Sequence, residues 1–109
     1  MKDKKELFRK MLRYIRIIDD CVVGLSYEVF IDVDEKVFAA SFALCQIAEL
    51  ANRFSENEKS EYPIFPWVQL RAVRNRIIHE YESVNKKMLW DIIVDDLPKL
   101  AKSIEDILG

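Results

Sequence analysis

Apolar positions recur every three or four residues through most of this 109-residue chain, the period of helices that bury one face. Leu7, Met11, Tyr14, Ile18, Val22 and Leu25 form the first stripe. Asp3 with Glu6 makes a capping-box pattern ahead of it, so the spacing predicts a helix over 4–25. Arg9, Lys10, Arg13 and Arg16 fall off the stripe and read as a solvated basic face, with RNA contact as the lesser reading. Tyr27 to Val33 has strand-like composition, but one short run has no partner strand to satisfy its backbone. A connecting loop that tucks Phe30 and Ile31 into the core is expected there.

Asp32 with Glu35 repeats the capping-box pattern and predicts a second helix over 34–58. From Val37 to Ala51 it is apolar nearly all round, so it should be buried all round. A small bundle cannot wrap one of its members completely, which leaves either loops or a second chain to cover the remainder. Residues 55–62 are polar and linker-like. Pro63 and Pro66 then set the approach to a third helix over 66–81, with Pro66 in its first turn. Trp67, Leu70, Val73 and Ile77 form its core stripe. Asn85 fits the N-cap of a fourth helix over 86–108, striped by Leu89, Ile93, Leu97, Leu100, Ile104 and Leu108. Pro98 interrupts that stripe and should kink the helix, or split it after Asp95-Asp96. The expected fold class is all-α: a four- to five-helix antiparallel bundle forming one domain, 1–109.

Composition narrows the function. Two glycines and three prolines leave little turn chemistry, in keeping with a few long helices. A net charge of −2 provides no global basic field for nucleic acid, so RNA contact would depend on local clusters such as Arg71, Arg74 and Arg76. Cys21 and Cys45 sit inside apolar patterns rather than in a ligand spacing, as buried free thiols of a cytoplasmic protein do. No apolar signal core and no 18-residue apolar run is present, so a cytoplasmic protein without membrane attachment is expected. A Gly-rich phosphate loop and a His/Cys metal cluster are both missing. The remaining chemistries are acid–base catalysis without metal or cofactor, and pure binding.

The candidate chemistry is concentrated in residues 74–81, Arg-Asn-Arg-Ile-Ile-His-Glu-Tyr, which hold the chain's one histidine. At about 100° per residue, Arg71, Asn75 and His79 share a helix face, and Arg74 and Tyr81 lie within about 20° of each other. A cation, an amide, an imidazole and a phenol so placed can hold a phosphate and move a proton. The last turn of a helix also favours positive charge at His79. The same residues fit a structural role: a lone histidine is often a hydrogen-bonded brace, and Arg-Asn pairs often join neighbouring helices.

Arg74-Asn75-x-x-x-His79-x-Tyr81 resembles the Arg-x4-His-x-Tyr signature of HEPN-domain proteins, specifically the HepT-like toxins. Pro66-Trp67, Trp90-Asp91-Ile92-Ile93 and Asp96-Leu97-Pro98 resemble the family's flanks. Gln46 to Ala51 is similar to its Ile-Gly-Glu-Ala region, with alanine in place of the glycine. The resemblance runs from about Val37 to the C-terminus. It implies a metal-independent ribonuclease in which His79 is the acid or base, Arg74 steadies the phosphorane, and Asn75 orients the imidazole or the phosphate; Arg71, one turn before Asn75 on the same face, is a supporting candidate by geometry alone. A reaction that needs one proton removed and another supplied is served by a homodimer that brings two His79 to one cleft. The resemblance also implies a minimal nucleotidyltransferase antitoxin as partner, with Tyr81 as the adenylylated residue. The competing reading is a non-catalytic nucleotide-binding partner of such a nucleotidyltransferase. A purely structural helical dimer is the third.

Overall fold

The computed structural model describes residues 3–109. Asp3 accepts a hydrogen bond from the Lys5 backbone N–H and opens α1 (Lys4–Val22). Glu6 does not complete a capping box; it pairs with Arg9 at 3.3 Å. Leu7, Met11, Ile15 and Ile18 carry the buried face of α1.

The expected loop after α1 is in fact a short helix, α2 (Tyr27–Ile31). Gly24, at φ +76°, turns the chain, and the Ser26 hydroxyl caps the next turn by accepting from the Val29 N–H at 3.3 Å. A one-turn helix with its cap satisfies its own backbone, which a lone strand cannot do. Phe30 is fully buried, and its ring lies 5.2 Å from Trp90.

The predicted capping box at Asp32 does not form either. Asp32 closes α2, and Val33 is the N-cap of α3 (Asp34–Ala51), without a side-chain bond. Asp34 and Glu35 instead meet the positive end of the helix in its first turn. The second predicted helix stops at Ala51 rather than residue 58. Phe54 turns inward there, and Ser55 with Glu58 makes a genuine capping box, at 3.1 and 2.7 Å, that starts α4 (Glu56–Ser60). The linker-like segment is thus a capped helical turn. Phe8, Phe54, Tyr62, Phe65 and Trp67 then cluster, with ring centroids 5.0 to 5.7 Å apart, and join α1 to the start of the third long helix.

That helix is α5 (Trp67–His79). Pro66 is its N-cap, at φ −84° and ψ 62°, and not a first-turn residue. It ends at His79, and a 3₁₀ turn covers Tyr81–Ser83. Asn85 caps α6 (Lys86–Asp91) as expected, accepting from the Met88 N–H at 3.0 Å. A π-helical segment, Ile92–Asp96, leads into α7 (Leu97–Leu108). Pro98 explains it. With no N–H, and with a ring that would strike the carbonyl of Val94, it forces the preceding turn to widen to i→i+5 bonding. The Leu97 N–H accordingly reaches back to the Ile92 carbonyl.

The chain is an all-α bundle, with no strand among the described residues. α3 is central: α1 packs along one side, α5 lies against another, and α7 covers α1. Within the single chain α3 is not covered on every side by its loops: Phe38 and Phe42 remain 55% and 65% exposed. Among the described residues, no helix is long and apolar enough to cross a membrane.

Candidate functional site

Glu49 is the single charge in the apolar run from Val37 to Ala51, and it faces α5. There the Arg74 guanidinium donates from Nε to Glu49 Oε1 in a short ion pair, and from one terminal nitrogen to Asn75 Oδ1 at 3.0 Å. Two anchors on two edges fix the plane of the guanidinium. The other terminal nitrogen donates to no protein group among the described residues, which leaves it free to take a phosphate oxygen.

Arg74 borders a groove of about 450 Å³ between α3 and α5, lined also by Phe38, Phe42, Ile78 and Tyr81. Ser41 lies at its floor, 2% exposed, with its hydroxyl unpartnered. Tyr81 reaches this groove by a route different from the one predicted. α5 ends before it, so helical spacing does not align it with Arg74. The 3₁₀ turn swings the ring back onto α3, where its centroid lies 5.5 Å from that of Phe38.

His79 is the last residue of α5 and is exposed. It makes no side-chain hydrogen bond or ion pair among the described residues, which sets aside the role of a hydrogen-bonded brace. It does not line the Arg74 groove. Asn75 is the link between the two faces, since it stands one turn before His79 and accepts from Arg74. Arg71 is exposed and donates to Asn52 Oδ1 at 3.5 Å, while Arg76 pairs with Glu80 at 3.8 Å. The chain therefore brings Arg74 and Tyr81 to one groove, with Asn75 bonded to Arg74, and leaves His79 and Arg71 outside its lining.

A Cys–His nucleophile pair has no support in this arrangement. Cys45 lines the groove, but burial pushes its thiol up, with Arg74 only partly offsetting the effect, so it stays protonated. Cys21 is half-buried rather than buried and belongs to α1, away from the groove. Among the described residues, no three His, Cys, Asp or Glu side chains gather to share a metal. Sequence reasoning did not foresee Glu49 as the partner of Arg74. Its isolation as a charge in an apolar helix was the available signal.

The ribonuclease HepT-like family model matches residues 11–107. Among curated relatives, a protein of Caldanaerobacter subterraneus subsp. tengcongensis named as a candidate RNase is 26% identical over 99% of this chain and 96% of its own. A similarly named protein of Methanocaldococcus jannaschii is 26% identical over 98% of this chain and 88% of its own. One of Thermococcus cleftensis, named "Probable ribonuclease HepT", is 25% identical over 94% of each. No solved structure gave a significant match. With a family model spanning nearly the whole of the chain, and the bundle and the Arg-x4-His-x-Tyr motif both in place, the protein belongs to the ribonuclease HepT-like family.

Proposed function

We propose that this chain is a metal-independent endoribonuclease of the toxin class, acting as a homodimer and neutralised by a minimal nucleotidyltransferase antitoxin that adenylylates Tyr81. The observation that carries the reading is Arg74, oriented by Glu49 and Asn75 with one donor edge open, five residues before an unpartnered His79 on the same helix. In the reaction the ribose 2′-oxygen bonds to the adjacent phosphorus and the 5′-oxygen leaves, giving a cyclic phosphate and a 5′-hydroxyl. Arg74 stabilises the charge that builds on the phosphorane oxygens, and His79 takes or gives the proton. Asn75 holds the arginine, and Arg71 adds a second cation along the same face.

One histidine serves one proton transfer at a time. A two-fold dimer supplies the second and covers exposed Phe38, Phe42 and Ile78, which loops of the same chain leave open. Tyr81 opens on the Arg74 groove, so an AMP phosphate attached there competes with RNA for the arginine's free edge.

A specific observation also supports the alternative, a non-catalytic nucleotide-binding partner of the nucleotidyltransferase. In the single chain Arg74 already has a carboxylate partner, and His79 lies outside the groove. Incubation of the purified protein with a mixed RNA pool, with and without chelator, separates the two readings. Cleavage that persists in chelator, ends in cyclic phosphate and disappears in His79→Ala and Arg74→Ala is expected. Inactivity of the pure wild type favours the binding role, and cleavage surviving in His79→Ala refutes the assignment.

A further inference from the structure

Glu49 borders two cavities. On its α5 side is the Arg74 groove; on its α1 side is a narrower cleft of about 230 Å³, whose polar lining is Lys10, Arg13, Tyr14, Gln46, Glu49 and Arg53. Gln46 and Glu49 line both, so a single ridge of α3 separates them. The cleft holds three cations and one carboxylate, in a chain whose net charge is −2. That carboxylate is already engaged by Arg74. Lys10 and Arg13 stand one turn apart on α1, and neither pairs with a carboxylate among the described residues. The Arg13 guanidinium lies over the Tyr14 ring, 5.9 Å from its centroid, which holds the charge at the cleft instead of letting it sweep through solvent.

We propose that this α1–α3 cleft is a second phosphate-binding subsite, where Lys10 and Arg13 hold the backbone of single-stranded RNA that runs over the Glu49 ridge to Arg74. The identity of the ligand rests on the ribonuclease reading. The charge asymmetry explains how a slightly acidic protein retains a polyanion: attraction is confined to a tract that leads to the reacting phosphate. Because the cleft contacts phosphates and presents few groups to base edges, it adds affinity without sequence preference.

The test uses full-length His79→Ala protein, whose RNA stays intact, with and without Lys10→Gln/Arg13→Gln. Binding to a labelled single-stranded RNA of about 20 nucleotides is followed by anisotropy across a salt series. Loss of two phosphate contacts makes the slope of log affinity against log salt shallower by about 1.4, from about 0.7 per contact. The fall in affinity between about 50 and about 200 mM salt then shrinks roughly sevenfold. Lys99→Gln/Lys102→Gln removes the same charge from α7 and should leave the slope unchanged. With His79 restored, Lys10→Gln/Arg13→Gln should cleave a dinucleotide as wild type does and the longer RNA more slowly. An unchanged slope, or an equal effect of the α7 pair, overturns the subsite while leaving the ribonuclease reading intact. A protein that cuts no RNA but shows the slope change loses the ribonuclease reading and keeps the subsite.

Discussion

Breaking the Glu49–Arg74 pair offers a direct measure of how firmly the candidate site is held. The partners are intermediate between core and surface, with side chains 42% and 26% exposed. Exposed pairs contribute about 0.2–1 kcal/mol, whereas hydrogen bonds to charged groups in drier surroundings contribute about 1.5–3 kcal/mol. Solvent on the glutamate side screens the pair toward the lower range, so a coupling of about 1 kcal/mol is expected. The appropriate assay is a double-mutant cycle of Glu49→Ala, Arg74→Ala and the double variant, by urea unfolding at neutral pH. Each single change leaves a half-exposed charge facing solvent, so both singles should remain folded. The coupling should decline as salt is raised, because water reaches the glutamate. Coupling below about 0.2 kcal/mol would show that the pair contributes nothing measurable and that Arg74 is not held in its plane. A coupling insensitive to molar salt would refute the partly solvated geometry.

Three further perturbations probe the rest of the chain. Phe8 is fully buried beneath three other rings, so Phe8→Ala should cost about 3–5 kcal/mol in urea unfolding; a cost under about 1 kcal/mol would mean that the aromatic cluster collapses freely. Burial, and secondarily the Asp20 carboxylate, hold the Asp19 carboxyl above its ordinary value of 3.8. The folded chain then binds that proton more tightly than the unfolded one, so ionised Asp19 opposes folding. Asp19 is exposed, so solvent keeps the effect small: Asp19→Asn should be slightly more stable than wild type near neutral pH, with the advantage fading as pH falls through the raised folded value and gone below the ordinary one, and equal stability at both ends would contradict this. Cys21 should react with a maleimide well before Cys45, whose thiol burial keeps protonated; the reverse order by mass mapping would contradict the groove's closed floor.

The long helices were legible because each carries enough turns for a 3.6-residue period to show. α2 was not: one turn gives no period, and the β-branched and aromatic run Tyr27–Val33 favours an extended reading until the Ser26 cap is weighed. Capping boxes were read twice where none closed: Asp3 and Glu6 have the right spacing but other partners, and Asp32 ends α2 so that Val33 takes the N-cap position of α3. The one that does close, Ser55-x-x-Glu58, lay inside the stretch assigned to the end of the second helix. At the site, the motif residues were identifiable from the resemblance. Which of them line the groove was not, because that depends on where α5 stops and on a partner twenty-five positions away on α3.

The way α5 is attached has a consequence for motion. It packs chiefly on α3 and buries only Leu70, Val73 and Ile77, whereas α1, α3 and α7 share the larger core. Trp67 ties the start of α5 into the aromatic cluster, while its C-terminal half rests chiefly on α3. That half should open at a lower free energy than the whole bundle, so its amides should exchange with deuterium earlier than those of α1 and α3. Such exchange would mark the turns that bear Arg74 and His79 as a foldon of their own, able to admit or release a strand while the remainder of the molecule stays folded.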